Sequence, residues 1–458
     1  MHGYLYAIPL VMIQTFTHPR SCRFSTDFHL EVNGLPVEVL RTDAADFALF
    51  VYDATQGVAE VVVTVLDGGG DTPVIRPLRV GIRAEVQEDQ KVSLTIQAAK
   101  KLSMEIPGRR PLYIWANAPE ENPPQEGDPD VLFFKGGHSY DVGCLNMESG
   151  QTLYIEGGAV FKGRISTQGK SEVTIRGFGI FDGSYYEGED VPSIFFERCK
   201  HVLIRDITMI YPSGWMIVPG ACEHVEICNV KQIGEIMCTD GIDVVGSKYV
   251  HIHDCFLRNN DDCVVVKAFN MKRPCPDLCA DLRVCPDEIL VENCTLVNDH
   301  SGNAMEIGHE LSVERVSNVT FRNIDVISVH GQGAVFSLHN NDRAIIENVL
   351  FEDIRIEHCW DKFIDFRISK SRFSSDDERG HIRNVTLRNI NWWRPSHNEG
   401  YTISIMGGWD AEHLIENVTF ENVCINGVPI QHIDELEITM RYSEGITLLE
   451  SASAVLVQ

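Results

Sequence analysis

Basic residues are scarce in this chain: 39 Lys and Arg stand against 66 Asp and Glu, a formal net charge of −27 over 458 residues. An acidic surface of this strength repels polyanions at long range, which argues against DNA, RNA and anionic membranes as partners. It also weighs against a polyuronate substrate unless a local basic cleft overrides the global field. Long apolar runs are missing too, since no stretch approaches the roughly 20 residues needed to span a bilayer. The opening segment has an apolar run from Tyr4 to Ile13, but no basic residues lead into it and no small-x-small cleavage site follows. That is a poor signal peptide. The expectation is a cytoplasmic protein with reduced thiols, or a secreted one if the true N-terminus is misassigned.

Ligand pairs of the C-x2-C kind are absent despite 14 cysteines. The tightest set, Cys275, Cys279 and Cys285, has the spacing C-x3-C-x5-C and is not read as a zinc site. Cys228, Cys238, Cys255, Cys263 and Cys294 fall in or near alternating apolar segments and are expected to be buried structural thiols. No phosphate-cradling loop, dinucleotide fingerprint or G-x-S-x-G elbow occurs, and LDGGGD (66–71) reads as a turn. Neither a metal nor an organic cofactor is expected, and the oligomeric state is not encoded in any recognisable pattern.

What is present is strand after strand. Hydrophobic residues at 44% and charged residues at 23% are ordinary for a globular chain, so a sizeable core is expected. Residues 1–133 carry short alternating runs such as FHLEVNG, VAEVVVTVLDGGG and PLYIWANA, which predict an N-terminal antiparallel β-sandwich. A Pro- and acid-rich stretch (118–130) reads as a linker or surface loop.

From 134 to 430 the pattern becomes a repeat. VTIRGFGIFDG (173–183), VLIRDITMIYP (202–212), VEICNVKQIG (225–234) and VHIHDCFLRN (250–259) are followed by five further units, ending with VTFENVCING (418–427). Each is a short alternating strand, a polar pair such as Asn-Val, Asn-Ile or Asp-Ile, and a second short strand. A unit that cannot bury its own apolar face must stack on its neighbours, and all-strand units without helices imply a β-solenoid. The fold class is therefore all-β, a right-handed parallel β-helix after the sandwich, with residues 431–458 as a C-terminal tail. Longer intervals around 268–288 and 371–384 predict projecting loops.

One rung is unusually acidic: CTDGIDVVGSKYVHIHDCFLRNNDDCVVVKA (238–268). Asp240 and Asp261 are 21 positions apart, close to one coil, so they are expected one above the other at the spacing of adjacent strands, about 4.8 Å. Glycoside hydrolysis needs one carboxylic acid to protonate the leaving oxygen and one carboxylate to activate water or attack. Crowded like charges raise at least one pKa, keeping an acid protonated near neutrality. Asp-Gly and Asn-Asp pairs also serve as ordinary bends, so a single pair would not carry the argument.

The full string resembles the polygalacturonase-like glycoside hydrolases, the clan of families 28 and 49 that includes dextranases. The family pattern N-T-D-G-I-D, then D-D-C-[IV]-[AV]-[IV]-K one coil later, is matched by Cys238–Asp243 and Asp261–Lys267. GWMIVP (214–219), YIEGGAVFKG (154–163) and IRGFGIFDG (175–183) resemble other family rungs, over about 135–430 in all. The N-terminal sandwich is more like the dextranase side of the clan. The resemblance implies Asp261 as general acid, Asp240 and Asp262 holding and deprotonating the attacking water, and inversion at the anomeric carbon.

Departures bear on the substrate. Where the family has G-H-G-x-S-I-G, this chain has Gly302 to Glu310, which sets Asn303 or, in a looser match, His309 at the family histidine, and Glu306 at a small polar position. The Arg-x-Lys that grips uronate carboxylates corresponds to residues 334–342, where Ser337 and His339 are the polar candidates. Lys267, Asn303, Glu306, His309 and His339 are the expected substrate-binding residues. Loss of the Arg fork favours a neutral sugar, although Arg367 and Lys370 could supply charge for an acidic one. Rival readings are a lyase or epimerase on the same fold, or a carbohydrate-binding β-helix without turnover.

Overall fold

In the computed structural model, residues 13–66, 68, 71–87, 90–272 and 278–449 are described. The apolar run before Ile13, half of the 66–71 turn, Cys275 and the last nine residues of the expected tail lie outside them. The chain divides into two compact units. The smaller comprises the chain to Gly127 with Phe133–Ser139 and Glu156–Val160; the larger comprises Asp128–Leu132, Tyr140–Ile155 and everything from Phe161. Among the described residues no helix is long and apolar enough to cross a membrane.

The smaller unit holds two sheets. One is antiparallel throughout, in the order Leu35–Val37, Phe28–Val32, Ala59–Val65, Lys91–Ile96, Glu85–Val86. Alternation places Ala59, Val61, Val63 and Val65 of its central strand in the core. The other sheet contains one parallel pairing, Asp46–Tyr52 against Leu112–Asn117, which strand patterning had not predicted. Asp46–Tyr52 is buried along its whole length, so the run loses the alternation that would have shown its surroundings.

The larger unit is a coil of parallel strands, each paired with the equivalent strand of the next turn. The apolar positions of the repeat stack in register. Val173, Val202, Val225, Val250, Ile289, Val319, Val349, Val385 and Val418 form one continuous interior ladder. Two residues on, Ile175, Ile204, Ile227, Ile252, Val291, Phe321, Phe351, Leu387 and Phe420 form a second. Parallel strands feeding a shared interior explain why β-branched and aromatic residues recur at these positions. Residues 438–449, expected as a tail, continue the ladders instead: Ser404 pairs with Ile438 and Thr419 with Thr447.

The residue just before the first ladder always has a left-handed backbone, and its chemistry changes along the coil. In the early turns His201, His224 and Tyr249 stack ring on ring, with centroids 4.9 and 4.8 Å apart. In later turns the same position is Asn318, Asn348, Asn384 and Asn417, whose amides hydrogen-bond from turn to turn. Asn adopts this conformation more readily than other side-chain-bearing residues. Asn348→Ala should therefore destabilise the protein by about 1–2 kcal/mol, and Asn348→Gly by less, because glycine keeps the backbone geometry while losing only the amide bonds. Denaturant midpoints of the two variants check this ordering.

Both long intervals form loops. In the first, Asn270–Met271 pairs with Ala280–Asp281, and Leu278, Ala280 and Leu282 pack with Trp215, Phe195 and Val218. The second, after Ile368, brings Arg372 and Phe373 to the edge of a cleft on the coil.

Candidate active site

The cleft has a volume of about 680 Å³ and is lined by Asp240, Asp261, Asp262, Lys267, Asn303, His309 and His339, with Trp215, Glu310, Asp365, Arg367, Arg372 and Phe373 around them. Volumes of this order are typical of ligand sites. Strands Ile242–Val245 and Val264–Ala268 on successive turns position its acidic end. Their register pairs Ile242 with Val264, so Asp240 lies over Asp262, not over Asp261 as the 21-residue spacing suggested. The turn is one residue longer than that estimate. Asp261 still joins the group: one carboxylate oxygen from each of the three aspartates lies within 4.8 Å of the others.

Crowding and burial set their protonation. Burial, then the neighbouring Asp240 carboxylate, pushes Asp261 up to about 7, with Lys267 opposing. Asp262 is held well above the usual carboxylate range by burial, then by Glu306 and Asp261. Three carboxylates this close do not all ionise together.

Lys267, which also lines the cleft, is bonded to the acidic end. Its Nζ donates to Asp240 Oδ2 at 3.1 Å and Asp243 Oδ1 at 2.9 Å, and it sits 4.0 Å from the centre of the Trp215 ring. It is the counter-charge of the acidic end. Asp243, fully buried, is raised well above its ordinary pKa, chiefly by burial.

Asn303 stands where the register continues from Asp262, since Val264 pairs with Met305. Its backbone N and its Nδ2 both donate to Asp262 Oδ1, at 2.7 and 2.9 Å, while its Oδ1 accepts from Ala334 N. The same Nδ2 bonds Glu306 Oε2. Glu306 was expected in contact with substrate, but it is wholly buried behind Asn303 and does not line the cleft. Its strand has residues covered on both faces, so the alternation that marks a cleft-facing position is lost.

Beyond Glu306 the charges alternate. Glu306 Oε1 lies 2.8 Å from His339 Nδ1, whose Nε2 lies 3.3 Å from Asp365 Oδ1 and 3.0 Å from Arg367 Nη2. Burial opposes charge on both partners, yet His339 holds Glu306 down to about 2, and Glu306 with Asp365 lifts His339 to about 9. The pair is a carboxylate and an imidazolium at neutral pH. His309 stacks on His339 at 4.4 Å and on Phe373 at 4.8 Å, and burial pulls it down to about 4, so it is neutral.

Glu310, Asp365, Lys362, Arg372 and Phe373 escaped the sequence reading as site residues. Asp365 had a signal, because Glu306, Ser337 and Asp365 are in register on successive turns. Lys370, considered as a source of charge, pairs with Asp377 and does not line the cleft. Cys238, expected buried, is exposed at the cleft edge, because its turn ends before the inward strand begins.

The chain is similar to several known proteins. A polygalacturonase from Chamaecyparis obtusa is 32% identical over 76 residues, 16% of this chain and 15% of that protein. A probable rhamnogalacturonase C from Aspergillus flavus is 27% identical over 192 residues, 41% of this chain and 37% of its own length. The chain thus spans well under half the length of these curated relatives. In three dimensions, Dex49A from Penicillium minioluteum superposes with a TM-score of 0.69 at 12% identity, covering 95% of this chain and 96% of that one. An exopolygalacturonase from Thermotoga maritima gives 0.53 at 18% identity, covering 70% and 84%. These two likenesses concern the fold. The model of the glycosyl hydrolases family 28 matches residues 145–439, well over half of the sequence and all of the cleft, and the chain belongs to that family.

Proposed function

We propose that this protein hydrolyses glycosidic bonds of a poly- or oligosaccharide, with inversion at the anomeric carbon. The observation that carries the reading is the group of three aspartates within 4.8 Å, one of them, Asp261, still protonated up to about pH 7. Asp261 delivers its proton to the leaving oxygen. Asp240, backed by Lys267, deprotonates the attacking water, and Asp262, clamped at Oδ1 by Asn303, helps to hold it. Inversion rests on the family resemblance, because oxygens this close are nearer the two-step spacing of about 5–5.5 Å than the wider inverting one.

A neutral sugar is the favoured substrate, since Ser337 and His339 occupy the place of the uronate-gripping Arg-x-Lys, and the His339 charge is consumed by Glu306 and Asp365. One observation favours a second reading, an acidic sugar: Lys272, Arg367 and Arg372 all line the cleft, with the Arg372 guanidinium 4.7 Å from the Phe373 ring centre. Relatives named for polygalacturonase and rhamnogalacturonase activity are consistent with it.

Incubation with panels of neutral and uronic oligosaccharides, followed by proton NMR of the anomeric signals from the first minutes, tests all of this. The expected result is turnover in which the inverted anomer appears first. A retained anomer would exclude direct displacement, and turnover confined to uronic substrates would replace the neutral reading with the acidic one. Binding without turnover of any glycan would overturn the enzymatic proposal.

A further inference from the structure

We propose that Glu226, Cys228 and His253 form a zinc site on the solvent side of the coil, separate from the cleft and independent of the glycan chemistry. Strands Glu223–Cys228 and Lys248–His253 lie on successive turns, and their register pairs Cys228 directly with His253. Glu226 is two residues before Cys228, on the same face of its strand. One ligand atom from each of the three, a carboxylate oxygen, a thiol sulfur and an imidazole nitrogen, lies within 4.8 Å of the other two. Sulfur, nitrogen and oxygen donors together suit zinc over calcium or magnesium, which take oxygen.

The imidazole is already oriented for the task. His253 Nε2 is 3.3 Å from Glu226 Oε1, and its Nδ1 is 2.7 Å from Asp254 Oδ2. The carboxylate on Nδ1 fixes the ring so that Nε2 faces Glu226 and Cys228, where zinc would replace the proton that Nε2 shares with Glu226. Asp254 can do this because it adopts a left-handed backbone at the turn. Donors around a tetrahedral zinc are roughly 3.3–3.8 Å apart, as bonds of about 2.0–2.3 Å require. Contraction from the present spacing needs side-chain rotation of about an ångström and leaves a fourth position for water.

Access and charge are compatible as well. Cys228 is sheltered, while the Glu226 side chain is 52% exposed and offers an approach from solvent. Arg205, in register with Cys228 on the preceding turn, has its Nε 2.7 Å from Asp206 Oδ2, which offsets its charge. Of the two other clusters of potential ligands, Asp240–Asp261–Asp262 offers only oxygen, and Glu306–His309–His339 has Arg367 3.0 Å from His339. Among the described residues, the outer cluster is the one of the three that supplies sulfur. Bound zinc would tie two turns of the coil together.

Cobalt(II) titration of the tag-free, metal-free full-length protein tests the assignment. The expected result is one cobalt per chain, with a thiolate charge-transfer band in the near ultraviolet that zinc displaces. Cys228→Ser should abolish the band. Asp254→Asn, which leaves all three ligands but frees the ring, should weaken binding by about 10–100-fold. Glu226→Gln, at an exposed side chain, tests the third ligand should Cys228→Ser fail to fold. No sulfur band, a band that survives Cys228→Ser, or affinity unchanged in Glu226→Gln would each overturn the proposal.

Discussion

Asp261→Asn should lower kcat by about 10²–10⁴-fold, the usual worth of a positioned general acid, without loss of the fold. The amide keeps an oxygen in place of Oδ1, which accepts from Asp262 N at 3.0 Å, so the local turn survives. The pH dependence identifies the step. Because the Asp261 carboxyl is raised from 3.8 to about 7, the acid is present below that pH and is lost above it. The wild-type rate should fall about tenfold per pH unit on the alkaline side, and the residual rate of the variant should lack that limb. A glycosyl fluoride, whose leaving group needs no protonation, should recover much of the lost rate in Asp261→Asn. Stability also falls with rising pH, over a lower window. A carboxyl whose folded pKa exceeds its unfolded one makes the native state lose stability as pH rises through the window from about 4 to about 7. The variant escapes that loss and should melt no lower than wild type at pH 7. Equal losses on the fluoride and on natural glycans would remove Asp261 from the acid role.

Features that were local in the chain were legible before the structure. Ladder positions such as Val225, Val250 and Ile289 repeat with the same neighbours, because one interior imposes the same demand at every turn. The aspartates were legible for the same reason, lying in strings where type and spacing are both restricted. What depended on register was not. Counting residues set Asp240 over Asp261, whereas the strand pairing of Ile242 with Val264 sets it over Asp262. Glu306 read as a substrate contact because alternation cannot distinguish a cleft wall from a buried face. Its meaning depends on Asn303, three residues away, and on His339 and Asp365 from later turns. The departure at the family histidine also acquires a physical content in three dimensions. Asn303 is a two-donor clamp on Asp262, and the imidazolium His339 keeps Glu306 charged while it receives the amide. The parallel pairing of Asp46–Tyr52 with Leu112–Asn117 was hidden because pattern alone carries no strand direction.

Lys267→Met should destabilise the protein by about 3–5 kcal/mol near neutral pH, the cost of stripping one partner from a buried ion pair. Methionine replaces most of the apolar stem that lies against Trp215, so the loss is electrostatic rather than a cavity. Asp243 is fully buried and Asp240 nearly so, and Lys267 is the cation bonded to both. Asp243 is already held well above the usual range, by burial first, with Lys267 pulling it down; without the lysine it rises further. An aspartate raised in the folded state takes up a proton that the unfolded chain releases, so stability falls as pH climbs above about 4. The gap between wild type and variant should therefore be small in mild acid and widen toward neutrality, as thermal melts across that range would report. Adding Asp243→Asn to Lys267→Met should return part of the loss, because the second change removes the carboxyl that must take up a proton on folding; additive losses would mean that the two side chains do not act as a pair. Activity should fall in both variants, since Asp240 loses the partner that holds its carboxylate in place beside the attacking water. A Lys267→Met protein as stable and as active as wild type would show that the acidic end balances its charge elsewhere, and the division of labour among the three aspartates would then have to be redrawn.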